Sequence, residues 1–306
     1  MILVTGATGH VGREVVRRLV ARGRDVVAMV RNVDTARQRL PASVPLRVAD
    51  YEDNHALRAA FMGADVLVLI SSDGAADTVT RHHANAIEAA VAAGVGHIVF
   101  TSIVDTSAQS PFYFSPVYRD AERRLAHCGV PSTVLVCGLY SEFVLDSWLL
   151  PYSASGELAL PANYGQFAPI SRADVATAIA SVAARPEKFG DYRMLTGDRL
   201  LDFDDVCAIY REVSARPLHY RACAIEEYLT TASTQFEEPW PRAFASLCVS
   251  IGHGRYCYTM NHFAGITRRK PESFRDFLIR TTSGIPPGGL PNSIRQRPRR
   301  GSPRPA

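Results

Sequence analysis

The chain has 306 residues, 47% hydrophobic and 21% charged, with a formal net charge of +4. That is ordinary for a globule with a large core, as one big domain or two small ones, and no apolar run approaches the ~20 residues of a membrane span. Six scattered cysteines without a Cys-x-x-Cys pair point to reduced thiols in a cytoplasm and argue against a zinc knuckle.

The elements read as follows in chain order. Ile2 to Val4 form a short buried strand, and Gly6, Gly9 and Gly12 follow at three-residue spacing. Val11, Val15, Val16, Leu19 and Val20 then make one helical stripe, closed by Gly23. A strand, a glycine-rich turn and a helix build an anion site, because helix N-terminal N–H groups and the positive end of the dipole face the turn. The spacing is Gly-x-x-Gly-x-x-Gly rather than the usual Gly-x-Gly-x-x-Gly, and the alternative is a tight turn that binds nothing. Gly6, Thr8, Gly9, His10, Val11 and Gly12 are the expected cradle of a dinucleotide pyrophosphate.

Strands are expected at 2–5, 26–30, 45–49, 65–70, 96–101 and 132–137. Helices are expected at 10–22, 34–40, 54–62, 76–93 and 116–128. The alternation predicts an α/β protein with a Rossmann-type, doubly wound parallel sheet over residues 1–150. Beyond residue 138 the pattern loosens. Residues 140–150 read as a short helix, and 156–161 and 167–171 as short strands. Ser171 caps a helix through Ala184, with Asp174 as a capping-box partner. Residues 190–197 read as a strand, and 171–197 is expected to return to the first domain. Residues 151–283 otherwise form a smaller C-terminal substrate lobe, with helices at 203–215, 224–234, 239–250 and 271–280 and a strand at 217–222. Residues 284–306 hold five arginines and no acid, and read as a disordered tail. Without them the chain is slightly acidic and has no basic stripe with interleaved aromatics, so nucleic acid is not expected as the main ligand.

Ligands of an open parallel sheet sit outside the carboxyl ends of its strands. The expected strands deliver Arg31 and Asn32, then Asp50 and Tyr51, Ser71 and Ser72, Thr101 and Ser102, and Gly138 to Tyr140. An NAD site usually has an acid after the second strand; here Arg31 stands there. A guanidinium suits a 2′-phosphate, so NADP(H) is preferred over NAD(H). The alternative is an arginine facing water, and Arg37 is a weaker second candidate.

The segments TGATGHVG, MVRN, VADYED, RHHANAIEAAVAAGVGHIVFTSI and ERRLAHCGVPSTVLVCGLYSEF resemble the NmrA-like atypical short-chain dehydrogenases. The resemblance spans roughly residues 1–280. It is nearest to the NADPH-dependent quinone oxidoreductases and triphenylmethane dye reductases of that group. It implies an NADP-binding Rossmann fold, a C-terminal lobe closing a substrate cleft, and either turnover or an NADP(H)-sensing regulatory role. Where relatives often read Leu-Arg-Asn-Gly or Leu-Arg-Pro-Gly, this chain has Leu135, Val136, Cys137 and Gly138.

Most short-chain dehydrogenases use a Tyr-x-x-x-Lys pair. The only lysines here are Lys188 and Lys270. Tyr118 stands where such a tyrosine would, but Glu122 follows four residues on, and a carboxylate disfavours a tyrosinate. Tyr118 is therefore expected as a neutral O–H donor to a developing oxyanion, or else as a packing residue of the helix 116–128; Ser102 is the other candidate donor, or else a backbone-bonding serine at a strand end. The expected reaction is direct hydride transfer from NADPH to a small quinone, ketone or conjugated aromatic carbonyl compound. The segment 112–118, with Tyr140, Phe143 and Trp148, is a candidate set of aromatic walls, or else an apolar loop buried under the second lobe. His82 and His83 read as surface or capping residues, since adjacent helical positions face apart. No metal spacing is evident, and a homodimer is left open.

Overall fold

A computed structural model describes residues 1–282; the expected arginine-rich tail lies outside the described residues. Seven parallel strands form one sheet: β1 (Ile2–Val4), β2 (Val26–Val30), β3 (Leu46–Val48), β4 (Val66–Leu69), β5 (His97–Ile103), β6 (Ser132–Cys137) and β8 (Tyr192–Leu195). Their order is β3-β2-β1-β4-β5-β6-β8, so the topology reverses between β1 and β4. That switch point opens a crevice at the carboxyl rim. A separate parallel pair joins β7 (Glu157–Leu160) to β9 (His219–Ala222).

Strand side chains alternate between two cores, as a period of two requires. Ile2, Val4, Ala28, Val30, Val68 and Leu135 face α1 (His10–Ala21) and α8 (Arg172–Ala184). Leu3, Met29, Leu67, Leu69, Phe100 and Val136 face α3 (Asn54–Phe61), α4 (Ala76–Ala92) and α5 (Ser115–His127). Helix α8 is alanine-rich and buried nearly all round, which lets it lie close along α1. α2 (Val33–Arg39) is capped by Asn32, whose Oδ1 accepts from Thr35 N.

The loosely patterned region differs from expectation in several places. Residues 141–152 form α6 (Ser141–Phe143), a π-wound turn (Val144–Leu149) and α7 (Leu150–Tyr152). Pro151 offers no N–H, and its ring excludes the carbonyl a turn earlier, so the winding slackens there. Residues 167–171 are not a strand: only the isolated bridges Phe167–Leu201 and Tyr140–Ile170 form. Asp174 does not return to the Ser171 backbone. Ser171 Oγ accepts from Asp174 N at 3.2 Å, but the Asp174 carboxylate takes Arg269 and, at 2.6 Å, Glu272 N. A long-range ion pair with a buried carboxylate outcompetes a local cap.

The lobe adds α9 (Phe203–Ser214), capped reciprocally by Asp202 and Asp205, then α10 (Ile225–Gln235) and α11 (Trp240–Gly252). A further helix, α12 (His262–Thr267), precedes α13 (Phe274–Thr282). The sequence pattern does not show α12, whose six residues bury only Phe263 and Ile266. The α12 segment closes the outer side of β8: Met194 N donates to His262 Nδ1 at 2.9 Å, and Met260 N donates to Thr196 Oγ1 at 3.0 Å. Among the described residues, no helix is long and apolar enough to cross a membrane.

Candidate active site at the carboxyl rim of the sheet

The glycine turn is built for a ligand. Gly6 adopts φ +57°, where a side chain is strained, and Gly9 N donates to Gly6 O at 2.9 Å. A Cβ on Gly12 would lie 2.2 Å from Gly6 O, so α1 presses its first turn directly onto the loop backbone. Gly9 is the N-cap of α1, no side chain caps it, and no acid stands in the first turn. The first N–H groups therefore face the crevice ready for an anion.

Cationic groups ring this turn. Partial burial lowers the His10 pKa, and Arg172, Arg13 and Arg39 push it further the same way. Arg39 Nη1 donates to Thr8 O at 3.3 Å, so this arginine stands directly beside the turn. The sequence pattern does not disclose it, because it stands nine positions past the end of β2. Arg31 is mostly exposed, 4.0 Å from Asp50. Arg37, the second candidate, donates from Nη1 to Ala42 O and Val44 O, both at 3.2 Å. A cradle without room for a Cβ, uncapped N–H groups and exposed arginines fit a phosphorylated dinucleotide.

Several expected rim residues face inward instead. Tyr51 is buried; its hydroxyl donates to Ile70 O at 3.1 Å and its ring stacks on His82 at 5.2 Å. It braces the rim from below. Gly138 is small for packing: a Cβ there would sit 3.2 Å from Leu195 O and 3.3 Å from Ala168 O. Tyr140 is half-buried beneath the Arg172 guanidinium, 5.5 Å from its ring centre, and burial raises its phenol well above the ordinary value. Trp148 is fully buried against Phe143, Phe167 and Phe203 and walls no cleft. Phe112, Tyr113, Phe114 and Phe143 are half-buried.

Strand β5 runs two residues further than expected, to Ile103, so Thr101 and Ser102 lie within its ladder opposite Leu135 and Val136. Ser102 is 2% exposed and donates to Glu122 Oε1 at 2.5 Å, while Thr106 donates to the other carboxylate oxygen at 3.2 Å. The Ser102 hydroxyl is therefore bound by the half-buried Glu122 carboxylate. Glu122 faces these two hydroxyls rather than Tyr118. What keeps Tyr118 protonated is burial, which pushes its phenol up to about 12 despite a hydrogen bond with Ser71.

The end of β4 is the densest polar point. Ser71 N donates to Thr101 Oγ1 at 3.1 Å. Ser71 Oγ lies 2.8 Å from His83 Nε2 and 2.9 Å from the Tyr118 hydroxyl. Ser72 Oγ lies 2.8 Å from His82 Nδ1, and His82 Nε2 lies 3.0 Å from Glu52, which Arg81 grips with two bonds of 2.9 and 2.8 Å. His82 and His83 are thus buried beside this strand end, not surface or capping groups. Helix α4 is flanked by both α3 and α5, so two adjacent positions can both point inward.

Burial drives the His83 pKa down from 6.5 to about 4, with His82 adding to the shift and Asp120 opposing it. Above pH 6.5 both folded and unfolded chains hold it neutral. Between there and about 4 the unfolded chain takes up a proton that the fold refuses, so stability falls with pH. The expected loss is about 3 kcal/mol by pH 4. Thermal melts at pH 7 and 4.5 should show a larger acid loss in the parent than in His83→Gln.

Two cavities, of about 250 and 260 Å³, lie elsewhere: one in the lobe beside Cys223 and His253, one under the amino ends of β1 and β4. No group of acids, histidines and cysteines among the described residues could hold a metal.

Comparison with known proteins agrees with this architecture. Quinone oxidoreductase 2 of Escherichia coli is 34% identical over 224 residues, 72% of this chain and 77% of that protein. The structure of the E. coli NADPH-dependent quinone oxidoreductase complexed with NADPH superposes with a TM-score of 0.86 at 27% identity, covering 92% of this chain and 99% of that one. The Citrobacter sp. triphenylmethane reductase complexed with NADP(H) gives 0.83 at 25% identity, covering 92% and 99%. The NmrA-like family model matches residues 1–256, and the chain belongs to that family.

Proposed function

We propose that the protein is an NADPH-dependent reductase of quinones and related conjugated carbonyl compounds. One observation carries this reading: an uncapped glycine cradle and a neutral phenol, Tyr118, share one carboxyl rim. The relatives that bind NADPH and reduce quinones or triphenylmethane dyes support it. In the cradle, NADPH supplies a hydride. Arg31 and Arg39 would hold the 2′-phosphate end of the nucleotide, and the first turn of α1 would receive its pyrophosphate. Tyr118, with no lysine to ionise it, keeps its proton until negative charge grows on the substrate oxygen, then donates it. Positioning and one proton are what the chain contributes; the cofactor carries the hard step.

The test is a panel of quinones and polycyclic ketones with NADPH or NADH, followed by loss of reduced-cofactor absorbance. NADPH is expected to be preferred, and Arg31→Ala to weaken NADPH about tenfold while sparing NADH. Rates equal to the blank across the panel would instead favour an NADP(H) sensor.

A further inference from the structure

We propose that His83 and Ser71 are positioning residues that ready the Tyr118 proton for transfer to the substrate oxygen. This rests on the carbonyl-reductase reading above. His83 is 1% exposed and its Nδ1 is buried with no hydrogen-bond partner. Only Nε2 is engaged, 2.8 Å from Ser71 Oγ. A buried, unpaired N–H costs more than a buried, unpaired lone pair, so the proton of the neutral ring resides on Nε2. His83 therefore donates to Ser71.

Ser71 has one proton of its own. Its oxygen lies 2.9 Å from the Tyr118 hydroxyl and 3.3 Å from Ser72 O. At rest Tyr118 donates to Ser71 Oγ and Ser71 donates to Ser72 O; the His83 donation loads the same Ser71 oxygen and so weakens its hold on the Tyr118 proton. The Tyr118 proton is then more readily given up to a substrate oxygen, and Ser71 turns its own proton to the Tyr118 oxygen as charge develops there. The His83 ring cannot swing to undo this: it stands edge-on to Phe100 at 5.2 Å and lies 5.5 Å from the Tyr118 ring.

The chemistry balances. The hydride forms a new bond to the acceptor, the carbonyl π electrons move to oxygen, and the Tyr118 O–H bond breaks as the product O–H forms. The Tyr118 oxygen, momentarily anionic, accepts from Ser71 until solvent returns a proton. A cationic triarylmethane dye is different, because its carbocation takes a hydride and becomes neutral without any proton.

That difference supplies the test. Steady-state rates with NADPH are measured for a quinone and for a cationic triarylmethane dye. The variants are His83→Leu, which has no donor, and His83→Gln, whose amide nitrogen can occupy the Nε2 position. In His83→Leu the ratio of quinone to dye kcat is expected to fall about tenfold, and in His83→Gln to stay within about threefold of the parent. General structural damage would lower both rates and leave the ratio alone. A folded His83→Leu with the parental ratio overturns the proposal, as does a parent that reduces the dye alone. If the parent reduces only the quinone, the D2O effect on kcat replaces the ratio. It is expected to rise in His83→Leu as proton delivery becomes limiting, and an unchanged effect overturns the proposal. A parent that reduces neither acceptor refutes the reductase reading first and this inference with it.

Discussion

Alanine at position 12 is expected to abolish nucleotide binding. The new methyl would meet Gly6 O at 2.2 Å, Gly6 C at 2.8 Å and Ala7 Cα at 2.9 Å. All three are backbone, so nothing flexible can yield. Either α1 backs away from the turn or the turn opens, and in both cases the N–H groups of the first turn lose their common focus. Overpacking of this kind costs about 1–3 kcal/mol of stability, and scattering the anion site should raise the NADPH Kd by at least about 100-fold. Gly9→Ala meets the same oxygen at a milder 3.2 Å and should weaken binding less. Calorimetric titration of folded protein measures both. A Gly12→Ala protein that binds NADPH as tightly as the parent would show that the nucleotide lies elsewhere.

Tyr118→Phe is expected to lower kcat for quinones by about 100-fold with little change in KM. The ring stays, so its packing against Phe100 and His83 stays; only the hydroxyl, with its bond to Ser71, is lost. A loss confined to kcat marks an interaction made in the transition state. Ser102→Ala is the contrast. Its hydroxyl belongs to Glu122, so its removal should reduce stability by about 1–2 kcal/mol and leave catalytic rates near parental. Stopped-flow rates and melting curves on both variants separate the two roles.

The first half of the fold was legible because its signals are local. Apolar strands alternate with amphipathic helices, and the glycine turn has only one sensible conformation. The parallel sheet and the cradle follow from those. Arg39, His82 and His83 were not legible for a different reason. Arg39 is brought to Thr8 by the rotation of α2, and the histidines meet Ser71 and Ser72 only once α4 has packed between α3 and α5. Ser102 was misjudged by two residues of strand length, enough to move a side chain from the rim into the ladder. Asp174 looked like a cap because its best partner, Arg269, is 95 positions away. Residue type and spacing disclose such contacts poorly, since they depend on tertiary packing.

The closure of β8 also bears on self-association. An outermost strand normally offers its unpaired amides to any extended chain, which is how sheets spread into fibrils. Here the Met194 amide is spoken for by an imidazole, and Thr196 is tied to the segment that crosses over it. An incoming strand would have to displace both bonds and lift a helix before gaining its first rung. On this flank, polymerisation through strand addition is blocked by a side chain rather than by charge or proline.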